Sequence, residues 1–162
     1  MDGADFQNLT AGTYTVQLEA YVTDSHNNLV VAYDYQASAV IQGGRTTQFP
    51  AAMNPTTGAF DLGYNFLQAS CGTSGVTHLT VQLIDGANQD WSGLSGQSIQ
   101  CSDGATLHYD YFPGGSFRAV LRGYNASNQQ TWGADRTVQV VAGAANQTTI
   151  TLAACGTSGS GC

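Results

Sequence analysis

The chain has 162 residues, of which 42% are hydrophobic and only 9% are charged. It contains no lysine, its four cations are arginines, and its formal net charge is −7. Nucleic acid and anionic membrane surfaces are therefore poor partners, because binding to either relies on clusters of Lys and Arg. No run of apolar residues approaches the length of about 18 that predicts a transmembrane helix.

The first third of the chain has the pattern of a β-hairpin. From Tyr14 to Ala20, apolar and polar residues alternate strictly, which indicates a half-buried strand. A polar turn follows, and residues 29–41 are again rich in strand-forming residues. We predict a last short strand at residues 46–49 and a linker at residues 50–55.

A segment near the C-terminus repeats this pattern. Four pairs match at a constant spacing of 103 residues, namely Gly12 with Gly115, Tyr14 with Phe117, Leu18 with Leu121, and Tyr21 with Tyr124. Repetition at a fixed spacing is typical of tandem domains. The match covers only the closing strands of the unit. We therefore expect a partial unit at residues 1–55, a complete unit at 56–155 and a flexible Gly/Ser tail at 156–162.

The complete unit predicts an all-β fold. Alternating apolar residues indicate strands at residues 58–66 and 76–85, and shorter strands follow at 98–103 and 105–111. With the closing strands, the unit has about seven strands separated by turns rich in Gly and Asn. Such spacing is typical of an antiparallel β-sandwich.

Several motifs carry a family resemblance. They are Cys71 with Gly75-Val76, Cys101-Ser-Asp-Gly104, Gly114-Gly115-Ser116-Phe117, Ala142-Gly143 with Gln147-Thr148-Thr149, and Ala11-Gly12-Thr13-Tyr14 in the partial unit. With these motifs the chain resembles the Ig-like, carboxypeptidase-regulatory-like repeats of secreted bacterial surface proteins and lipoproteins, especially of myxobacterial type. The resemblance implies an Ig-like sandwich at the cell surface, in the periplasm or outside the cell. These motifs are structural and specify a fold better than an activity.

The chain has four cysteines, Cys71, Cys101, Cys155 and Cys162, and no CxxC pair. An even number in a polar chain favours disulfides in an oxidising compartment over free thiols. The resemblance implies a disulfide between Cys71 and Cys101, which leaves Cys155 and Cys162 to close the tail on itself. A Cys101–Cys155 pairing is the alternative.

The sequence predicts neither catalysis nor a cofactor. There is no GxSxG motif, and the carboxylates of the two Tyr-Asp-Tyr triplets, Asp34 and Asp110, are expected to point away from paired tyrosines. A metal site that combines His78, His108 and Asp110 is geometrically feasible, but exposed strand histidines are commoner. Five aspartates lie near predicted turns, namely Asp24, Asp85, Asp90, Asp103 and Asp135. Calcium binds oxygen-rich loops, but Asp is also a common turn residue, so turn formation explains these positions better than calcium binding does.

The expected function is that of a structural or adhesive module that self-associates, or contacts neighbouring domains, through the incomplete sheet edge of the partial unit. The alternative is a small module that binds a glycan or a protein. For that alternative, the candidate ligand-binding aromatics are Trp91 and Trp132, both expected in loops or at strand ends. The tyrosines of the two triplets, Tyr33, Tyr35, Tyr109 and Tyr111, could join them in a stacking platform for sugars.

Overall fold

The computed structural model describes residues 6–24, 27–48, 51–94 and 97–156. These residues form ten strands and one short helix. The strands are β1 (Gly12–Thr23), β2 (Leu29–Ile41), β3 (Asn54–Pro55), β4 (Thr57–Phe66), β5 (His78–Ile84), β6 (Ser98–Gln100), β7 (Thr106–Pro113), β8 (Gly115–Tyr124), β9 (Gln130–Val140) and β10 (Ala145–Ala154), and helix α1 is Cys71–Ser74.

The strands form two hydrogen-bonded sheets, of which the larger folds over on itself. The smaller sheet has the order β1-β2-β3, and the larger has the order β6-β5-β8-β9-β10-β4-β7. The larger sheet is continuous between β9 and β10 only through two residue pairs at the end of each strand. The layers β6-β5-β8-β9 and β10-β4-β7 therefore diverge from this corner and pack face to face. The predicted all-β sandwich is confirmed.

The core lies between these two layers. Each strand contributes alternate residues to it, because successive side chains point to opposite faces. The largest fully buried side chains are Phe60, Leu62, Leu79, Val81, Leu83, Leu121 and Leu152. All eighteen members of the main core cluster lie between residues 60 and 152. The core is thus built by β4–β10, and the hairpin β1–β2 stands beside it.

One pair of strands departs from the predicted antiparallel arrangement. β10 runs parallel to β4 over eight residue pairs, from Ala145 with Ala59 to Leu152 with Phe66. These two strands are the first and last of the sandwich, so no short turn forces them to run in opposite directions. The expectation of a wholly antiparallel sandwich was therefore wrong at this pair.

The connection from the hairpin to the sandwich also differs from the prediction. Residues 46–48 are not in a strand, and Phe49 lies outside the described residues. The segment predicted as a linker instead contains β3, which pairs antiparallel with β2 at Tyr33 and Asp34. The Thr56 amide then donates to the Ala32 carbonyl at 2.9 Å, which anchors the hairpin to the start of β4.

A disulfide joins Cys71 to Cys101, with the two Cα atoms 5.8 Å apart. This is the pairing that the family resemblance implied, and it excludes the alternative Cys101–Cys155. The Asp103 carboxylate supports the link by accepting the Cys71 amide at 2.7 Å. Closing a loop with a sequence separation of 30 residues stabilises a fold by about 3–4 kcal/mol in the chain-entropy model. Cys155 is also disulfide-bonded, and Cys162 lies outside the described residues.

The single helix of the described residues is only four residues long. It begins with a capping box, in which the Ser70 hydroxyl accepts from the Thr73 amide, and it ends at Gly75 in the left-handed conformation. No helix in the part of the chain that the structure describes has the length and apolar character needed to span a membrane.

Candidate functional site

The main candidate site is the outer edge of β1. This strand is 12 residues long, which corresponds to about 40 Å of extended backbone. Among the described residues it pairs with β2 on one side and with no strand on the other. Natural proteins block long edges with Lys, Pro or strong bulges. β1 has no Lys or Pro, and Glu19 is its single charged residue.

The two faces of β1 differ in chemistry. Tyr14, Val16 and Leu18 lie on one face and are only partly buried, whereas Gln17 and Glu19 lie on the other face and are exposed. An apolar stripe of this kind gains free energy when a neighbouring strand removes it from water. β1 therefore offers both unpaired backbone groups and incompletely buried apolar side chains.

The polar face of β1 carries a short hydrogen-bonded chain. Gln17 Nε2 donates to Glu19 Oε1 at 2.8 Å, and the Tyr21 hydroxyl donates to Glu19 Oε2. The hydrogen bond to the Glu19 carboxylate raises the pKa of Tyr21 above its ordinary value. Gln17 and Tyr21 lie on the same face as Glu19 and hold its carboxylate, the single negative charge of β1, by hydrogen bonds.

The outermost strands at the other sheet edges are short or interrupted. β6 has only three residues, and β3 has two, one of which is Pro55. The outer strand β7 ends in Pro113 and contains a bulge, in which Asp110 and Tyr111 together oppose Ala59. Within the described residues, β1 is therefore the longest unblocked edge.

The bulge in β7 corrects one sequence prediction. The tyrosines of each Tyr-Asp-Tyr triplet were expected to share a face, but Tyr109 is buried in the core while Tyr111 is 45% exposed. Tyr111 has a φ of 55°, a left-handed conformation that is unfavourable for a bulky side chain. The extra residue of the bulge reverses the alternation, so the Tyr111 ring points outward.

A groove of about 350 Å³ lies between the hairpin and the sandwich. Tyr33 from β2 and Tyr111 from β7 both line it, and they are 46% and 45% exposed. Asp110 is part of the same lining, and its Oδ1 lies 3.1 Å from His108 Nε2. Both tyrosines belong to the Tyr-Asp-Tyr triplets of the sequence, but only the bulge and the packing of β2 bring them to one groove.

Trp91 and Trp132 do not form a shared platform. The Trp91 indole donates to Asp85 Oδ2 at 3.0 Å and the Trp132 indole donates to the Ser74 carbonyl at 3.2 Å. Both side chains are partly buried against the core. The Trp91 backbone amide donates to the Leu83 carbonyl, near one end of β5. Trp132 lies near the other end of β5 and packs edge-on against Phe66, with ring centroids 5.3 Å apart.

The two described histidines lie in different layers. His78 on β5 stacks on Tyr124 with ring centroids 5.3 Å apart. His108 on β7 bridges two carboxylates, with Nδ1 2.5 Å from Asp61 Oδ1 and Nε2 3.1 Å from Asp110 Oδ1. The hydrogen bonds to Asp61 and then to Asp110 raise the pKa of His108 above its ordinary value.

These histidines therefore do not combine into a metal site. The residues that the structure describes contain no group of three or more His, Cys, Asp or Glu placed to hold a metal ion. His26, the third histidine, lies outside the described residues.

The aspartates considered for calcium serve other contacts. Asp85 accepts the Trp91 indole and the backbone amides of Ala87 and Gln89, and the indole hydrogen bond is the main reason that its pKa is lowered. Three of the others accept hydrogen bonds from backbone amides. Asp24 accepts from Asn28, and Asp103 accepts from Cys71. Asp90 accepts from both Leu83 and Ser92.

Asp135 was expected near a turn but lies within β9, opposite Val120. Its carboxylate pairs with the Arg118 guanidinium, with Nη2 2.6 Å from Oδ2. The Arg118 hydrogen bond lowers the pKa of Asp135. The strand continues past this position because β8 and β9 pair over their whole length.

No protein-family model matches the chain, and no curated protein is significantly similar to it in sequence. The family resemblance carried by the motifs around Cys71 and Cys101 therefore stays a prediction.

Proposed function

We propose that this chain is a non-catalytic structural or adhesive module of a bacterial cell-surface or extracellular protein, and that it assembles through the edge of β1. One observation carries the proposal: among the described residues, a 12-residue strand has no partner on its outer edge and a partly buried apolar face. Strand addition to such an edge supplies affinity through main-chain hydrogen bonds.

The proposed location is supported by chemistry rather than by similarity. The Cys71–Cys101 disulfide is compatible with an oxidising compartment outside the cytosol. Solubility in a chain with only 9% charged residues comes mainly from Thr, Ser, Asn and Gln. A relationship to Ig-like repeats of secreted bacterial proteins is part of the same proposal and rests on the motifs of the sequence.

The need for a partner strand follows from the stability of small sheets. A two-stranded hairpin is at best marginally stable in water, and three or more strands with a common apolar face are needed for independent stability. Over most of its length, β1–β2 has only two strands, because β3 adds two residue pairs at Tyr33 and Asp34. A further strand at β1 would give the hairpin β1–β2 a third strand along its length.

Sedimentation velocity over a range of concentrations tests this proposal. We expect concentration-dependent self-association of the wild-type chain, and a monomer for the double variant Thr15→Lys/Gln17→Lys, because two edge lysines block strand addition. The matched control is Gln36→Lys/Ser38→Lys, which places the same charges on the paired positions of β2, away from the edge. It should associate like the wild type.

Both double variants reduce the net charge of −7 and so weaken general repulsion equally. Association that is lost only in the β1 variant must therefore reflect the edge itself. A wild-type chain that stays monomeric at all concentrations, or two variants that behave alike, would contradict assembly through β1.

A specific observation favours a second candidate function, the binding of a carbohydrate. The groove between hairpin and sandwich is lined by the exposed residues Tyr33 and Tyr111 and by Asp110. Aromatic rings offer an apolar face to a sugar, and a carboxylate accepts hydrogen bonds from hydroxyl groups.

NMR titration with a panel of oligosaccharides tests this candidate. Binding should shift resonances of the groove and should be lost in Tyr111→Ala. Tyr21→Ala is the matched control, because Tyr21 is 52% exposed on the polar face of β1. Binding that is absent from the wild type, or that is lost equally in both variants, would exclude this groove as a sugar site.

A further inference from the structure

The strand β8 shows how the outer edge of β1 would be filled. β1 begins at Gly12 and β8 at Gly115, and the pairing of each with its hairpin partner shifts register after Ala20 and after Gly123, respectively. The two strands thus correspond in structure at the same 103-residue spacing that their sequences show. β8 is covered on its outer edge by β5, and the described residues supply no equivalent of β5 to β1.

The strand that covers β8 shares a sequence with β1 itself. Residues 80–83 of β5 read Thr-Val-Gln-Leu, and residues 15–18 of β1 read the same four letters. β1 therefore corresponds to β8 by position and to β5 by sequence. A second copy of the chain consequently offers, in its own β1, a strand with the side chains that already occupy this place in the sandwich.

The observed pairing of β5 with β8 specifies a register. In the sandwich the opposed pairs are Thr80 with Arg122, Val81 with Leu121, Gln82 with Val120, and Leu83 with Ala119. Replacing both strands by the corresponding residues of β1 in two copies gives the pairs Thr15 with Glu19, Val16 with Leu18, Gln17 with Gln17, and Leu18 with Val16.

From this correspondence, and resting on the assembly proposed above, we infer that two copies of the chain pair their β1 strands antiparallel, with Gln17 opposite Gln17 on a two-fold axis. The interface is isologous, as in most homodimers. It joins the two three-stranded sheets into one continuous sheet whose centre is the β1–β1 pair.

The inferred register satisfies two physical requirements. Opposed residues share a face of the sheet, so Val16 of one copy meets Leu18 of the other and the apolar faces remain on one side. Glu19 lies opposite Thr15, where no like charge faces it. A shift that placed Glu19 opposite Glu19 would bring together two carboxylates, and like charges directly opposite each other are destabilising.

Variants that each add one cysteine to the full chain, with its four native cysteines kept, test the register. Opposed residues in an antiparallel pair have Cα atoms about 4.5–5.5 Å apart, within reach of a disulfide. Gln17→Cys should therefore oxidise to a covalent dimer on non-reducing gels. Thr13→Cys is the matched control, since its two copies would lie about 26 Å apart. We expect at least roughly tenfold more cross-linked dimer from Gln17→Cys.

A mixing experiment provides the decisive second measurement. Thr15→Cys and Glu19→Cys should each give little dimer alone, because identical positions lie about 13 Å apart in this register. A mixture of the two should give the mixed disulfide dimer, identified by mass spectrometry of the cross-linked peptides.

The outcomes separate the register from the proposed function. Self-association in sedimentation together with efficient cross-linking of Leu18→Cys or of Glu19→Cys alone would overturn this register and leave assembly through β1 intact. A chain that stays monomeric would overturn both. Cross-linking of Gln17→Cys and of the Thr15/Glu19 mixture supports both.

Discussion

The hairpins β1–β2 and β8–β9 have the same construction and very different surroundings. Their turns share a pattern in which an Asp or Asn begins the turn and a left-handed Asn precedes its last residue. The amide and carbonyl of Asp24 bond to Asn28 and Asn27, and those of Asn125 bond to Gln129 and Asn128. The turn geometry therefore does not explain why one hairpin is buried and the other is not.

The difference lies in the neighbours of the first strand. β8 lies between β5 and β9 and faces a second layer, so Phe117, Ala119 and Leu121 are all buried. The corresponding residues of β1 are only partly buried. The same strand pattern thus yields a core strand in one place and an open edge in the other, depending on what other strands are present.

The two hairpins also differ in how closely neighbouring side chains surround Gly123 of β8 and the corresponding residue of β1. A Cβ added to Gly123 would lie 3.2 Å from the Trp132 Cβ and 3.2 Å from a Val76 methyl group. The corresponding position of β1 is Ala20, which already carries a Cβ on a partly buried face. Glycine is favoured at this position of β8 because its cross-strand neighbour Trp132 on β9 and Val76, which precedes β5, both lie close to it.

The largest effect should come from truncating the same leucine in the two hairpins. Leu121→Ala empties a fully buried position and should lower the free energy of unfolding by about 3 kcal/mol. Leu18→Ala should lower it by less than about 1 kcal/mol in dilute solution, because Leu18 is only partly buried.

Denaturant unfolding followed by tryptophan fluorescence measures both changes, because the two tryptophans of the chain, Trp91 and Trp132, pack against the sandwich core. Equal losses in the two variants would mean that the hairpin and the sandwich unfold as one cooperative unit and that β1 is covered as well as β8 is.

A smaller effect should distinguish the blocked edge at β7 from the open one at β1. His108 on β7 is held by Asp61 and Asp110, and these hydrogen bonds raise its pKa. A raised folded-state pKa stabilises the fold at pH values below the ordinary histidine pKa of about 6.5, and this stabilisation is lost as the pH rises through the folded-state pKa.

The denaturant concentration at the unfolding midpoint of the wild type should accordingly fall as the pH rises above the ordinary histidine pKa of about 6.5 and through the folded-state pKa, and His108→Gln should remove part of this fall. His78→Gln is the matched control, because His78 stacks on Tyr124 in the other layer and its replacement leaves the contacts of His108 in place. A His108→Gln profile parallel to that of the wild type would show that the bridge does not contribute to stability.

Much of the strand pattern was predictable from the sequence because it depends on local alternation. Tyr14 to Ala20 and Phe60 to Phe66 alternate in a period of two, and both segments are strands. The Cys71–Cys101 pairing followed from the motifs of the resemblance and is present. An open sheet edge was expected within residues 1–55, but neither its position at β1 nor the continuation of the sheet through β3 was predicted.

The remaining features depend on contacts between residues far apart in the chain. The bridge from Asp61 to His108 spans 47 residues, and nothing local marks either residue as a partner of the other. Trp132, expected in a loop or at a strand end, donates to the Ser74 carbonyl, 58 positions away in the chain, and packs against Phe66.

The sequence by itself determined that β1 is a strand with one apolar face and no residue that blocks pairing, because side-chain alternation and residue type are local properties. Only the tertiary structure decided which strands have neighbours. Hydrogen-bond partners across a sheet come from distant segments, and β5 joins β8 while the described residues leave β1 open. The candidate site at β1 depends on both, because its residue types come from the sequence and its lack of a neighbour among the described residues comes from the tertiary structure.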